Sequence, residues 1–115
     1  MLNITMPRGD IRSVIFTVTG ADGELSDITF DEIYFTVKQY YTDRHYCFQK
    51  RLSNGTIELV ESGKYSLTIT PSDTNDLEVG QYVFDVELIF GTDIKQTTVG
   101  KFILTDEVTY AVNEV

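Results

Sequence analysis

The sequence predicts an all-β chain folded as a two-layer β-sandwich of about seven to eight antiparallel strands. Three observations carry that expectation. Thr, Val, Ile, Tyr and Phe are abundant while alanine stands only at Ala21 and Ala111, and branched and aromatic side chains suit a pleated, half-buried surface. Several segments alternate apolar and polar residues with a period of two, and none keeps a helical i, i+3, i+4, i+7 pattern over three turns. Turn residues recur at the spacing of about 8–12 positions expected of sandwiches and small barrels.

The elements follow in order. In segment 11–19, Val14, Phe16 and Val18 form one apolar face, alternating with Ile15, Thr17 and Thr19. Asp22-Gly23 then favours a tight turn, because Asp and Gly tolerate positive φ. Segment 33–39 sets Ile33, Phe35 and Val37 inward and Tyr34, Thr36 and Lys38 outward. Asn54-Gly55 is expected to close a hairpin between 46–52 and 56–60, with Ile57 and Leu59 inward. Ser62-Gly63 turns the chain into 64–70, where Tyr65, Leu67 and Ile69 face in. Pro71-Ser-Asp-Thr-Asn-Asp-Leu77 is the candidate for a helical turn: Pro ends the strand, and Ser72 or Asp73 supplies the cap. The longest strand, 81–90, places Tyr82, Phe84, Val86, Leu88 and Phe90 inward, with Asp85 and Glu87 outward. Gly91-Thr-Asp93 closes a second hairpin to 94–105. There Gly100 reads as a bulge, after which Phe102 and Leu104 take the inward face. The whole of 1–115 reads as one domain, with 106–115 as a weakly anchored tail.

A local signature refines the sandwich. In Leu77-Glu-Val-Gly80-Gln-Tyr82, a Leu, a Gly and a Tyr cluster just before the longest strand. This resembles the tyrosine corner of immunoglobulin-like domains, where a Tyr hydroxyl bonds back to nearby backbone. The expected fold is therefore an immunoglobulin-like β-sandwich.

Charge narrows the partners. Nine Lys and Arg stand against 18 Asp and Glu, a formal charge of −9. Nucleic acid and anionic membrane surfaces are bound largely by clustered Lys and Arg, so neither is an expected partner. No apolar run approaches the roughly 20 residues of a membrane helix, and the start lacks the charged and apolar regions of a signal peptide. The negative charge falls on outward positions such as Glu58, Asp85 and Glu87 and on loops, a solubility coat that discourages early pairing of sheet edges. Cys47 is the one cysteine, so no internal disulfide holds the fold, and a thiol in a strand-like segment reads as a small buried hydrophobe.

Catalysis finds no constellation. His45 is the single histidine, in the polar loop Thr42-Asp-Arg-His45; Asp43 is near it, but no nucleophile is identifiable. Asp31-Glu32 and Asp106-Glu107 stand at strand ends, where carboxylates meet solvent. No phosphate-cradling glycine motif or zinc-spaced Cys/His set is present, and no cofactor is expected. The oxygen-rich stretches Asp22-Gly-Glu24…Asp27 and Asp73…Asp76 do not match the twelve-residue calcium loop and read as solvated loops. Arg8-Gly9-Asp10 reads as a chain break before segment 11–19 rather than an adhesion motif. Asn3-Ile-Thr5 and Asn54-Gly-Thr56 fit the glycosylation sequon, and without a secretory signal they are expected to go unused. The remaining lead is aromatic. Tyr34 points outward from its strand, and Tyr40, Tyr41 and Tyr46 surround the following loop. Such tyrosines suit a protein interface or the stacking of sugar rings, since each offers a large face and a polar tip.

Several segments together carry a family resemblance. Arg8-Gly-Asp10 leads into Phe16-Thr-Val18. Ile33-Tyr-Phe-Thr-Val-Lys38 and Gly63-Lys-Tyr-Ser-Leu67 follow, then Pro71-Ser-Asp-Thr74…Leu77…Gly80-Gln-Tyr82-Val-Phe-Asp-Val86 and Thr98-Val-Gly-Lys-Phe102. In this order they resemble small prophage-encoded proteins of Gram-positive bacteria that look like the N-terminal immunoglobulin-like domain of phage baseplate upper proteins. The resemblance spans roughly 4–108. It implies a non-enzymatic virion structural protein near the tail tip or baseplate, with other phage structural proteins or further copies of itself as partners. The competing expectation is a carbohydrate-binding module for surface attachment. A third, an enzyme built on His45 beside Asp43, has the least behind it.

Overall fold

The computed structural model describes residues 2–19, 23–24 and 30–106. In chain order these form β1 (Leu2–Pro7), β2 (Arg12–Thr17), β3 (Glu32–Lys38), β4 (Phe48–Arg51), β5 (Ile57–Glu61), β6 (Lys64–Ile69), α1 (Pro71–Thr74), β7 (Gly80–Phe90) and β8 (Asp93–Thr105). The strands make two layers, a five-stranded sheet ordered β1-β8-β7-β3-β4 and a three-stranded sheet ordered β2-β6-β5. The chain is the all-β sandwich its alternation predicts. Lettered along the chain, β2, β6 and β5 take the B, E and D positions of an immunoglobulin-like domain, and β3, β7 and β8 take C, F and G. β4 extends the second sheet beyond C. β1 lies on the G side and not beside B.

The alternation read in the sequence becomes the core. Ile33, Phe35 and Val37 of β3 are buried to 1% exposure or less, and Tyr65, Leu67 and Ile69 of β6 face them from the other layer. Phe84 lies 5.1 Å from Phe35, ring centre to ring centre, and Phe102 meets Phe48 edge-on at 5.7 Å, the offset arrangements that aromatic quadrupoles favour. Each fully buried Phe, Ile or Leu contributes roughly 1.5–3 kcal/mol of transfer free energy. Polar residues at alternate positions put the other face of each sheet toward solvent.

Several expectations need correction. The strands are not all antiparallel: β1, which the sequence did not mark as a strand, pairs parallel with β8 from Leu2↔Gly100 to Pro7↔Thr105. Ile4 and Met6 thereby enter the core. Asn54-Gly55 does form a turn, with Gly55 at φ 81° and its N–H donating to the Leu52 carbonyl. It closes no hairpin, because β4 pairs with β3 and β5 with β6, so the chain crosses between layers there. A turn signal specifies reversal, not the partner strand. Gly100 is no bulge either; it pairs in register with Phe84, and the shift lies between Leu88 and Ile89. Two residues expected inward are exposed, Leu59 at 56% and Phe90 at 44%. Leu59 sits on the outer strand β5 beside a register shift, and Phe90 stands at the hairpin end past the shift in β7. The helical turn is present with Thr70, not Ser72, at its N-cap; the expected Asp73 takes part from the third helical position, its carboxylate accepting the Thr70 backbone N–H at 2.8 Å. The expected turn at Asp22, the Asp27 carboxylate and the tail 107–115 lie outside the described residues.

Candidate functional site

The tyrosine-corner residues occupy the crossover from β6 to β7. Tyr82 is buried, and its hydroxyl donates to the Glu78 carbonyl four residues upstream at 2.7 Å. Burial, with Cys47 and Glu78 adding to it, pushes this phenol up from its ordinary range. Leu77 packs partly buried against the core, and Gly80 holds φ 151° at the start of β7. Arg8-Gly9-Asp10 joins the same corner. Arg8 Nη1 donates to the Leu77 carbonyl at 3.2 Å, and the Gly9 N–H donates to the buried Thr74 hydroxyl at 2.9 Å. The tripeptide therefore works as a clamp between the β1–β2 turn and α1. Tyr82→Phe is expected to lower stability by about 1–2 kcal/mol, roughly 4 °C in melting temperature per kcal/mol, with the far-ultraviolet circular dichroism unchanged. An unshifted melt would deny the bond any weight.

Tyr34 lies on the outer face of the five-stranded sheet. Arg51 covers its ring at 5.3 Å from guanidinium carbon to centroid. Arg51 Nε donates to the Gln49 Oε1 at 2.7 Å, and Gln49 Nε2 donates to the Thr36 hydroxyl at 2.9 Å. This ladder locks the face in one arrangement. Asp85 follows on β7, where burial first and the neighbouring Glu87 second push its carboxyl up, against the pull of Lys38.

Tyr40, Tyr41 and Tyr46 belong to the connection from β3 to β4, at the far end of β3. The strand rise places Tyr34 about 13 Å before Lys38, so Tyr34 is not part of the loop cluster. The three loop tyrosines are 63%, 49% and 50% exposed, yet the loop is held in shape. The Tyr40 N–H donates to the Asp43 carboxylate at 3.1 Å, the Asp43 N–H returns to the Tyr40 carbonyl, and Lys38 Nζ donates to the Asp43 carbonyl at 2.9 Å. The Cys47 N–H closes the loop on the Val37 carbonyl at 2.7 Å. Tyr41 reaches across to β8, its hydroxyl donating to the Gly100 carbonyl at 3.1 Å. Gly100 and Asp43 were thus parts of this surface that periodicity had no means of flagging. His45 is exposed in the same loop, and the Asp43 carboxylate is turned to the Tyr40 backbone.

Asp73 is not a solvated loop carboxylate. It accepts from Lys50 Nζ at 2.6 Å, with the two side chains 15% and 9% exposed, and caps α1 as well. Cys47 is half-buried beside the core. Burial, then the Asp43 charge, pushes its thiol up, which disfavours the reactive thiolate. Among the described residues no group of three His, Cys, Asp or Glu is placed to hold a metal ion, and no helix is long and apolar enough to cross a membrane.

No protein-family model matches the chain, and no curated protein matches its sequence. Solved structures do match in fold. An endo-beta-1,4-mannanase from Thermotoga petrophila superposes on 91% of this chain with a TM-score of 0.58 at 14% sequence identity. The chain spans 18% of that mannanase chain. At this identity the likeness speaks for the sandwich fold alone.

Proposed function

We propose that the chain is a non-catalytic interaction domain that docks on a protein partner through Tyr40, Tyr41 and Tyr46. The observation that carries this reading is a loop with three half-exposed or more exposed tyrosines, fixed by its own hydrogen bonds. A fixed loop surrenders little entropy on binding, and tyrosine is among the residues that dominate interface energies. The partner class follows from the resemblance to baseplate upper proteins: a structural protein of a tailed-phage tail or baseplate, met during assembly in the host. The test is incorporation. Tyr40→Ala/Tyr46→Ala should fold as the parent does and be lost from purified particles, with affinity lower by a factor of about 30 or more, the equivalent of about 2 kcal/mol for a hot spot. Particles that never contain the parent chain would sink the phage assignment.

A second reading, glycan binding, has one observation in its favour. The outer face of the five-stranded sheet carries the ordered Arg51–Gln49–Thr36 ladder supported by Tyr34, a flat array of donors and acceptors. The mannanase with the same fold suggests the probe. Saturable calorimetric binding of β-1,4-mannan oligosaccharides, abolished by Tyr34→Ala and unaffected by Tyr40→Ala, would favour this reading over protein docking.

A further inference from the structure

A strand edge presents unpaired N–H and C=O groups, and proteins usually blunt it with charge, proline, a bulge or a short length. Among the described residues the two sheets end on β1, β4, β2 and β5. β4 is four residues long and turns the charged Lys50 inward. β5 carries Glu58 and Glu61, with a register shift between Leu59 and Glu61. β1 ends in Pro7, and Arg12 Nη1 donates to its Thr5 carbonyl at 2.9 Å. β2 carries its one charge, Arg12, at its first residue and no such device beyond it. From Ser13 to Thr17 it holds no charge, proline, glycine or bulge, and among the described residues it pairs with β6 alone. Ile11 just before it is 70% exposed, and Ile15 within it is 65% exposed. A cleft of about 240 Å³ runs beside it, lined by Ile4, Val14, Phe16, Phe84 and Val86 among others. Among the described residues none takes the position beside B, because β1 lies with β8.

We propose that β2 pairs antiparallel with β2 of a second copy, about a two-fold axis through Ile15, so that two three-stranded sheets become one of six strands. A second copy is the occupant that the strand itself specifies. In this register Ser13 stands opposite Thr17, Val14 opposite Phe16, Ile15 opposite Ile15 and Arg12 opposite Val18. Hydroxyl meets hydroxyl on the outer face, two exposed isoleucines cover each other, and a branched residue meets an aromatic over the cleft, all favourable cross-strand pairs. The two Arg12 charges lie at opposite ends, about 20 Å apart by strand rise, beyond the screening length of about 8 Å at physiological salt. One strand edge buries less than a standard interface, so the dimer is weak and concentration-dependent. Each copy carries −9, so salt tightens the association by screening repulsion. The inference does not rest on the tyrosine-loop reading.

Sedimentation of the full chain tests it. The weight-average mass should rise from one chain toward two across the micromolar range, and further with added salt. Ile15→Lys sets like charges directly across the axis at an exposed position. It should weaken the dimer about tenfold or more while the melting curve stays put, whereas Tyr40→Ala should dimerise as the parent does. A single-chain mass at every concentration and salt would overturn the proposal, as would an Ile15→Lys variant that dimerises like the parent. A single-chain mass with slow exchange at every amide from 13 to 17 would put another segment of the same chain on the edge, and would equally overturn it.

Discussion

Phe102→Ala is expected to lower the stability of the domain by roughly 3–5 kcal/mol, the usual cost of emptying an aromatic site in a core. Phe102 is fully buried, edge-on to Phe48 at 5.7 Å and beside Tyr82 at 6.4 Å. It stands on β8 between β1 and β7, so the cavity would open where three strands meet. Small domains have only about 5–15 kcal/mol in total, and the variant should unfold at a much lower denaturant midpoint with its slope unchanged. A loss below about 1 kcal/mol would mean that the layers do not close over this ring.

The second large effect is expected at the ion pair between β4 and α1. Asp73→Ala removes the partner of Lys50 and the carboxylate that accepts from the Thr70 N–H. A nearly buried ammonium left alone is destabilising by about 3–5 kcal/mol, whereas replacing both members by apolar groups is far milder. The double variant Lys50→Met/Asp73→Ala should therefore be more stable than Asp73→Ala alone, although it carries one more substitution. Equal stability of the two variants, by denaturant midpoint, would show that the pair is solvated and contributes through the cap only.

The inward residues of β3, β6 and most of β7 were legible because each strand is long, regular and covered on one face, which is the condition under which a period of two reports burial. The same rule failed at Leu59 and Phe90, which stand at an outer strand and a hairpin end where alternation continues but the opposing layer no longer covers it. β1 escaped notice for a different reason. Met1-Leu-Asn-Ile-Thr-Met-Pro7 has the alternation of a strand, but its partner lies about a hundred residues along the chain, and a parallel pair leaves no turn between its members to read. Asn54-Gly55 misled in the converse way, a genuine turn whose flanking strands belong to different sheets. For the candidate surface, the tyrosines themselves could be picked out by residue type and position. Their grouping could not: Tyr34 is held under Arg51 and apart from the loop, and Tyr41 is anchored by a glycine carbonyl distant in sequence. Asp73 looked like one acidic loop residue among many because its cation approaches from another strand.

The parallel register of β1 against β8 also governs how the domain bears load. The chain enters β1 at Leu2 and leaves β8 at Thr105, at opposite ends of the pair. Tension applied between those two points runs along both strands in opposite directions, so their shared hydrogen bonds are sheared together and not peeled one by one. A domain strung by its ends between two anchored neighbours would resist extension by that single ladder acting as a unit.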